Sequence, residues 1–273
     1  MSTESKIKIE LRDLTIAYGS FIVMRDITAK IERSQIFIIM GGSGSGKSTV
    51  LRVMIGLKEP ARGDVYYDGV PFWQSDDEQK QKLLRSFGVM FQQGALWSTM
   101  TLAENVALPL GEFTELPPKE IEDIARFKLA LVGLKGFEDF YPSEISGGMI
   151  KRAAIARALA LDPEILFFDE PSSGLDPLTA RKLDELVIQL RDSLGTTFVV
   201  VSHDLASIFA LGDHSIFLDG DTHTMRAQGK PKDLLENSND PIVRRFLSQG
   251  SDKTAEKKTP PRKEPAATTE QTS

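Results

Sequence analysis

The segment of the chain best suited to chemistry is residues 41–48, which read Gly-Gly-Ser-Gly-Ser-Gly-Lys-Ser after an apolar run, 36–40. Glycines let successive main-chain N–H groups turn toward one anion, and the spacing is that of a loop that holds a nucleoside triphosphate. Lys47 adds a positive charge for the β- and γ-phosphates, and the Ser48 hydroxyl is placed to bind Mg²⁺. The next residues predict a helix whose positive end faces the phosphates. The predicted nucleotide contacts are Gly41, Gly42, Ser43, Gly44, Ser45, Gly46, Lys47, Ser48 and Thr49.

A second candidate site is a pair of carboxylates, Asp169 and Glu170, at the end of the apolar run 165–168. In a parallel sheet, the carboxyl ends of the strands carry the ligand crevice. Asp169 is therefore positioned to hold Mg²⁺, directly or through water, and Glu170 to orient or deprotonate a water. A capping Asp-Glu pair before Pro171 would also explain both residues. The phosphate loop about 120 residues upstream favours the functional interpretation.

Two further segments carry groups that could face the same ligand. Ser146 is a good N-cap, and Gly147 and Gly148 leave main-chain N–H groups bare at a helix start, which makes a second anion site. A plain capped helix would explain the same residues. His203 follows the apolar run 198–201, at the predicted carboxyl end of a strand, where a catalytic group belongs.

These motifs occur in the order found in the ATP-binding cassette (ABC) ATPases, which the chain resembles over about residues 6–248. They are the phosphate loop, Phe91-Gln92, Ser146-Gly147-Gly148, Phe168-Asp169-Glu170, Ser173-Gly-Leu-Asp176 and Ser202-His203. The resemblance implies an ATPase that works as a head-to-tail pair of copies. The phosphate loop of one copy and the Ser-Gly-Gly helix of the other would enclose each ATP.

The resemblance also implies roles for single residues. Gln92 would bind Mg²⁺ and the attacking water and link the site to a membrane partner. Glu170 would be the catalytic base, and His203 would contact the γ-phosphate. Asp176 would communicate across the dimer. Tyr18 matches the aromatic residue that stacks on adenine, an interaction that tolerates any base. Catalysis would need mainly positioning and charge stabilisation by Lys47, Mg²⁺, Glu170 and His203.

Finer sequence features narrow the resemblance to one group of transporters. The family's signature segment, residues 145–149 here, has Ile145 where Leu is usual and Met149 where Gln is usual. Met149 and segments 91–110, 146–157 and 240–247 are similar to the ATPase of Mla/MCE-type phospholipid transporters. This resemblance implies phospholipid movement between the inner and outer membranes of a Gram-negative-type envelope. It implies a membrane-spanning permease, an MCE-domain protein and often a small STAS-domain protein as partners. The chain would lie peripherally on the cytoplasmic face of the inner membrane.

The elements that position these residues predict an α/β fold. Strand and helix alternate from residue 165 onward, which indicates a parallel sheet with helices on its faces. The resemblance specifies a P-loop NTPase with a RecA-like parallel-sheet core, an antiparallel β subdomain and a helical subdomain at about 95–160. Residues 1–250 are predicted to form one nucleotide-binding domain. Residues 251–273 lack large apolar side chains and are predicted to be a disordered polar tail.

Composition limits the possible partners. The net charge of −6 gives no bulk attraction to nucleic acid, and the absence of cysteine excludes disulfides and thiolate metal sites. No apolar stretch approaches the roughly 18 residues of a spanning helix, and residues 1–6 have no apolar signal core. We therefore expect the chain itself to be soluble and any membrane role to come through a partner.

Three alternatives remain open at this stage. An ABC ATPase of an amino-acid or methionine importer would use the same chemistry, although the tail is too short and polar for an appended ligand-sensing domain. A DNA-repair or chromosome ABC protein would carry a long coiled-coil or zinc insert. Here roughly 100 residues, without cysteine or sustained heptads, separate phosphate loop and signature. A small-molecule kinase would explain the phosphate loop but not the signature or Ser202-His203.

Overall fold

The computed structural model of the chain describes residues 6–255. The strands are β1 (Ile7–Tyr18), β2 (Phe21–Glu32), β3 (Ile36–Gly41), β4 (Arg62–Tyr67), β5 (Val70–Pro71), β6 (Phe87–Met90), β7 (Ile165–Asp169), β8 (Thr197–Val201), β9 (His214–Asp219) and β10 (Thr224–Gly229). The helices are α1 (Lys47–Met54), α2 (Asp77–Arg85), α3 (Leu102–Phe113), α4 (Pro118–Leu131), α5 (Gly147–Ala158), α6 (Pro177–Leu194), α7 (Leu205–Leu211), α8 (Pro231–Asn237) and α9 (Pro241–Ala255). A short 3₁₀ helix, Pro142–Glu144, precedes α5.

One mixed sheet of ten strands runs through the described chain, in the order β5-β4-β1-β2-β10-β9-β3-β8-β7-β6. Strands β5, β4, β1 and β2 pair antiparallel at one end. Strands β9, β3, β8, β7 and β6 pair parallel at the other end. The predicted α/β architecture, with a parallel core and an antiparallel β part, is confirmed.

The register of the parallel strands brings three strand ends together. Ile39 in β3 pairs with Val201 in β8, which also pairs with Asp169 in β7. The segments that follow these strands therefore leave the sheet at one edge, as expected for the ligand crevice of an α/β sheet. These segments are the phosphate loop, Glu170 and Ser202-His203.

Strand β3 lies at the centre of the core, and apolar side chains cover both of its faces. Ile36, Ile38 and Met40 belong to the cluster shared with α3, α5 and α6. Phe37 and Ile39 alternate to the opposite cluster, with α1 and the antiparallel strands. Burial on both faces is typical of a central parallel strand and holds the loop that follows on a rigid base.

Three helices lie in the range for which the resemblance implies a helical subdomain. Helices α3, α4 and α5 fall within the predicted range of about 95–160, and Ser146 caps α5. Helix α9 continues to Ala255, so it crosses the boundary predicted after residue 250. The rest of the predicted tail, 256–273, lies outside the described residues. Between residues 6 and 255, no helix has both the length and the apolar character needed to cross a membrane.

Candidate nucleotide-binding and catalytic site

The phosphate loop folds as its glycines require. Gly44 and Gly46 have φ values of 76° and 80°, a left-handed conformation that glycine adopts without strain. At Gly41, a Cβ would overlap the main-chain oxygen of Leu218, so only glycine allows this approach of β3 to β9. The amide N–H of Thr49 donates to the carbonyl of Gly46 as α1 begins. The loop and helix start thus present main-chain N–H groups in the arrangement that binds phosphate.

Lys47 is buried, and its ammonium lies within the loop. Its Nζ donates to the carbonyl oxygens of Gly41 at 3.0 Å and Gly42 at 2.8 Å. Burial lowers the pKa of Lys47, and the carboxylates of Glu170 and Asp169 oppose that shift. A buried cation bound only to neutral carbonyls is suited to an anionic ligand that would complete its charge balance.

Ser48 and Asp169 meet as the sequence suggests. Ser48 Oγ donates to Asp169 Oδ1 at 2.9 Å, although the residues are 121 positions apart. Hydroxyl and carboxylate oxygens are the hard ligands that Mg²⁺ prefers, and Mg²⁺ is usually held by one or two such groups plus water and phosphate. The residues present therefore fit the metal ion that a nucleoside triphosphate brings.

Glu170 and His203 form a contact at the same edge. Glu170 Oε1 lies 2.7 Å from His203 Nδ1. Glu170 is only 8% exposed, and its φ of 51° is uncommon for a residue with a side chain. Its N–H donates to the carbonyl of Val201, which fixes that conformation. The carboxylate is thus held beside an imidazole at the edge of the sheet where the phosphate loop also lies, and a carboxylate so placed is able to accept a proton from a bound water.

Gln92 lies in the turn that follows β6. Its Nε2 is 3.4 Å from Ser173 Oγ, in the segment between Glu170 and Asp176. Its predicted role toward Mg²⁺ stays a prediction, because the structure directs this amide to Ser173. The main-chain oxygen of Gln92 accepts a hydrogen bond from Lys151 of α5, a contact that the sequence did not suggest.

The signature segment faces another part of the same chain. Ser146 accepts a hydrogen bond from the N–H of Met149 at 3.3 Å, as an N-cap does. At Gly148, a Cβ would lie 2.6 Å from Thr179 Cγ2, so α5 packs closely on α6 at this point. Asp176 caps α6, and hydrogen bonds from Thr179 hold the pKa of Asp176 below its usual value. The structure therefore sets Ser146–Gly148 against the start of α6 rather than against the phosphate loop.

Tyr18 is half exposed at the end of β1, with a cation beside it. The Nζ of Lys58 lies 4.9 Å from the centre of the Tyr18 ring. The ammonium can interact with the π system of the ring. The ring is accessible, and its stacking on a base stays a prediction. Lys58 was not among the predicted site residues because no motif marks it.

A buried polar cluster behind Glu170 was also missed by the sequence. Ser207 Oγ lies 2.9 Å from Asp184 Oδ2, 3.1 Å from Asp204 Oδ2 and 3.4 Å from Ser172 Oγ. The cluster joins α6 and α7 to the segment after Glu170, along a cavity of about 1210 Å³ that Glu170 and His203 also line. The available signal was Asp184, a carboxylate within the apolar stripe of α6.

Comparisons with known proteins agree with this geometry. The sequence profile of the family "ABC transporter" matches residues 24–173. The chain is 39% identical, over 89% of its length and 67% of the relative's, to a "probable ribonucleotide transport ATP-binding protein mkl" of Mycobacterium tuberculosis. It is 38% identical, over 88% of both chains, to the "intermembrane phospholipid transport system ATP-binding protein MlaF" of Escherichia coli. It resembles the dimeric ATP-binding cassette MJ0796 bound to ADP and Pi, with a TM-score of 0.72 at 33% identity, covering 81% of this chain and 98% of that one.

Proposed function

The chain belongs to the ABC transporter family and is an ATP-hydrolysing subunit of such a transporter, and we propose that it drives phospholipid transport between two membranes. The structural observation that best supports ATP hydrolysis is the Glu170–His203 contact of 2.7 Å, at the same edge of the sheet as the phosphate loop. The cargo proposal rests on the similarity to MlaF, whose name states intermembrane phospholipid transport, over 88% of each chain.

The site's own residues account for most steps of hydrolysis. The loop N–H groups and Lys47 would bind the phosphates of ATP and hold them in place. Glu170 would accept the proton of the attacking water, and the half-exposed His203 would contact the γ-phosphate. Ser48 and Asp169, with Gln92 as a third candidate, would hold Mg²⁺. When bound, Mg²⁺ would supply charge neutralisation at the phosphate oxygens.

We further propose that the active form is a head-to-tail pair. Gly148 packs on α6 in its own chain, whereas Ser146 and Gly147 are exposed. The first N–H groups of a helix have no partner within the helix, so those at the start of α5 could bind the ATP of a second copy. Asp176, at the start of α6, lies next to this surface and would respond to the partner. ATP would thus close the dimer, and loss of the γ-phosphate would loosen it.

A membrane-spanning partner would dock beside the Gln92 turn. Exposed apolar side chains occur before, on and at the end of α3, with Trp97 57%, Leu108 40% and Phe113 47% exposed. Phe113 and Pro109 also line a cavity of about 260 Å³ against β6. Such a surface is suited to a helix from a permease, which would place the chain at the cytoplasmic face of the inner membrane. An MCE-domain protein and a small STAS-domain protein complete the proposed assembly.

One alternative cargo has a specific observation in its favour. The mycobacterial relative at 39% identity is named for ribonucleotide transport. The hydrolytic chemistry would be the same, and only the partners and cargo would differ. The match to MlaF extends over a larger share of the relative, 88% against 67%, which favours phospholipid.

Purification of the intact complex from native membranes tests the proposal. We expect a permease and an MCE-domain protein to copurify, with phospholipid as the bound small molecule. An amino-acid permease without an MCE-domain protein, or a bound ribonucleotide cargo, would overturn the phospholipid assignment. A purified chain that fails to hydrolyse ATP would overturn the placement of the catalytic residues.

A further inference from the structure

Helix α5 holds the Gln92 turn through a buried cation. Lys151, in the second turn of this helix, is only 6% exposed. Its ammonium donates a hydrogen bond to the main-chain oxygen of Gln92, 59 positions earlier in the sequence. Burying an ammonium is costly unless it is bound, so this contact accounts for the placement of Lys151. Lys151 therefore links the helix that Ser146 caps to the Gln92 turn.

A second cation of α5 extends the same attachment. Arg157 donates to the carbonyl oxygens of Ala95 at 2.7 Å and Gly94 at 2.8 Å. Gly94 and Ala95 both have positive φ values, 76° and 51°, so the chain turns tightly here. Two donors from one helix therefore hold residues 92–95, and Lys151 is the donor nearer to the catalytic groups.

Lys151 also lies in the electrostatic range of the catalytic base. Burial lowers the pKa of Lys151, and the carboxylate of Glu170 opposes this shift. The ammonium thus has the Gln92 carbonyl as its hydrogen-bond acceptor and is attracted by the charge of Glu170. Because Gln92 in turn contacts Ser173, three residues after Glu170, the Lys151 contact connects α5 with the segment that carries the base.

We propose that Lys151 is a positioning residue for hydrolysis, which ties the Ser146-Gly-Gly helix to Gln92 in the same subunit. This inference rests on the proposed function. The helix whose start would contact the ATP of one site then also sets the placement of Gln92 in the other site. When the Ser146-Gly-Gly segment of one copy binds the ATP held by its partner, α5 and Lys151 would transmit this binding to Gln92 in the same copy.

Three variants of the full chain test this role. Lys151→Met removes the donor while keeping the length of the side chain, and Lys151→Arg restores a cation. Lys128→Met is the matched control, because Lys128 is a buried ammonium of α4 that pairs with Asp162 away from the site. ATP affinity, kcat and KM are measured for each variant, with thermal unfolding to verify folding.

For Lys151→Met we expect kcat to fall at least about tenfold, the loss expected for a hydrogen bond from a charged donor. ATP affinity should stay within about twofold, because Lys151 touches no phosphate-binding group. Lys151→Arg should recover most of the turnover, and Lys128→Met should lose stability without losing turnover.

A structural measurement tests the attachment of the Gln92 turn separately from turnover. Hydrogen exchange of the peptide spanning residues 92–97 should be faster in Lys151→Met than in the wild type, because the turn loses one of its attachments. The same peptide should be unaffected in Lys128→Met.

Any one of three outcomes would overturn the positioning role while leaving the proposed function intact. These are unchanged kcat in Lys151→Met, unchanged hydrogen exchange at 92–97 in that variant, and an equal loss of turnover in Lys128→Met. If Lys151→Met does not fold, Lys151→Ala decides the matter on the same readouts, since it removes the N–H donor without placing a long apolar side chain beside the Gln92 carbonyl. A wild-type chain that neither binds nor hydrolyses ATP would instead overturn the proposed function, and this inference with it.

Discussion

Glu170 combines burial, a hydrogen-bonded imidazole and a left-handed main chain in one residue. A non-glycine residue at φ 51° costs free energy, which the surrounding structure must offset. Here the N–H of Glu170 bonds to Val201 and its carboxylate to His203, so the strained residue is fixed from both sides. The position and orientation of the Glu170 carboxylate are therefore fixed by these two contacts. Its function is open to a direct test by substitution.

Glu170→Gln should lower ATP turnover by at least about 100-fold, because the amide keeps the size of the side chain but cannot accept a proton. ATP affinity should be unchanged, and the ATP-bound dimer should persist. Phosphate release and equilibrium ATP binding are the two measurements. Glu164→Gln is a suitable control, since Glu164 precedes the same strand at its opposite end and pairs with Lys8. Turnover close to the wild type in Glu170→Gln would remove this residue from its proposed role.

Asp184 is the residue whose ionisation should most affect stability. Burial raises its pKa from 3.8 to about 6, and the nearby carboxylates of Asp204 and Glu185 add to the effect. The folded chain therefore keeps a proton on Asp184 that the unfolded chain releases. The contribution of Asp184 to stability falls as pH rises from about 4 to about 6, and the full penalty, about 2–3 kcal/mol, applies above that range.

Asp184→Asn should therefore stabilise the chain at pH 7.5, and by less at pH 4.5. The amide oxygen can still accept the hydrogen bond from Ser207, so the substitution removes mainly the charge. Urea unfolding at the two pH values measures the difference in free energy of unfolding. Asp192→Asn, at an exposed position of the same helix, should show no comparable change. An equal effect of Asp184→Asn at both pH values would contradict the assignment.

At the scale of elements, local signals mark where several helices begin and end. Helix α4 begins at Pro118, Ser146 caps α5, and α6 lies between its cap Asp176 and the left-handed Gly195. These signals act over one helical turn, so they can be seen in the sequence without knowledge of the fold.

Other elements depend on partners that the sequence does not name. Strand β2 begins at Phe21 although its first residues are exposed, because they pair with β1. The two strands shift register between Leu11 and Leu14, near Asp13 with its positive φ, which interrupts the pattern. The site likewise contains residues that local sequence motifs mark and residues that they do not. Motif residues were predictable, whereas Lys151 and Asp184 act through contacts between distant segments.

Helix α5 and strand β6 approach each other so closely that glycine is required between them. At Gly88 in β6, a Cβ would overlap the main-chain oxygen of Ala158 at the end of α5. Since a main-chain atom cannot rotate away, Gly88→Ala should force the two elements apart and cost about 1–3 kcal/mol of stability. Chemical denaturation measures this loss. Gly111→Ala is the control, because a Cβ at Gly111 in α3 meets open space. Equal stability of both variants would show that α5 can move without penalty.

On the scale of the whole molecule, the groups that would enclose ATP belong to two surfaces. The phosphate loop, Asp169 and Glu170 share one edge of the parallel sheet. The Ser146-Gly-Gly turn instead lies against α6, where Gly148 meets Thr179. If two copies pair head to tail as proposed, each chain supplies one half of each of two sites, and a closed twofold pair completes both sites at once.

Two inactive variants should consequently restore each other. Lys47→Ala removes the cation of the phosphate loop, and Gly147→Asp places a carboxylate where a phosphate would bind. The Asp side chain fits sterically, since the nearest atom to a Cβ at Gly147 is Leu175 Cδ2 at 3.9 Å, and an acidic residue is favourable at a helix start.

A mixed dimer of the two variants contains one site with both defects and one intact site. An equal mixture should therefore regain about a quarter of wild-type ATPase activity, since half the dimers are mixed and each has one working site of two. Steady-state phosphate release across mixing ratios measures this, with each variant alone as the reference. No recovery at any ratio, with both variants folded, would mean that each chain completes its own site and that the head-to-tail pair is wrong.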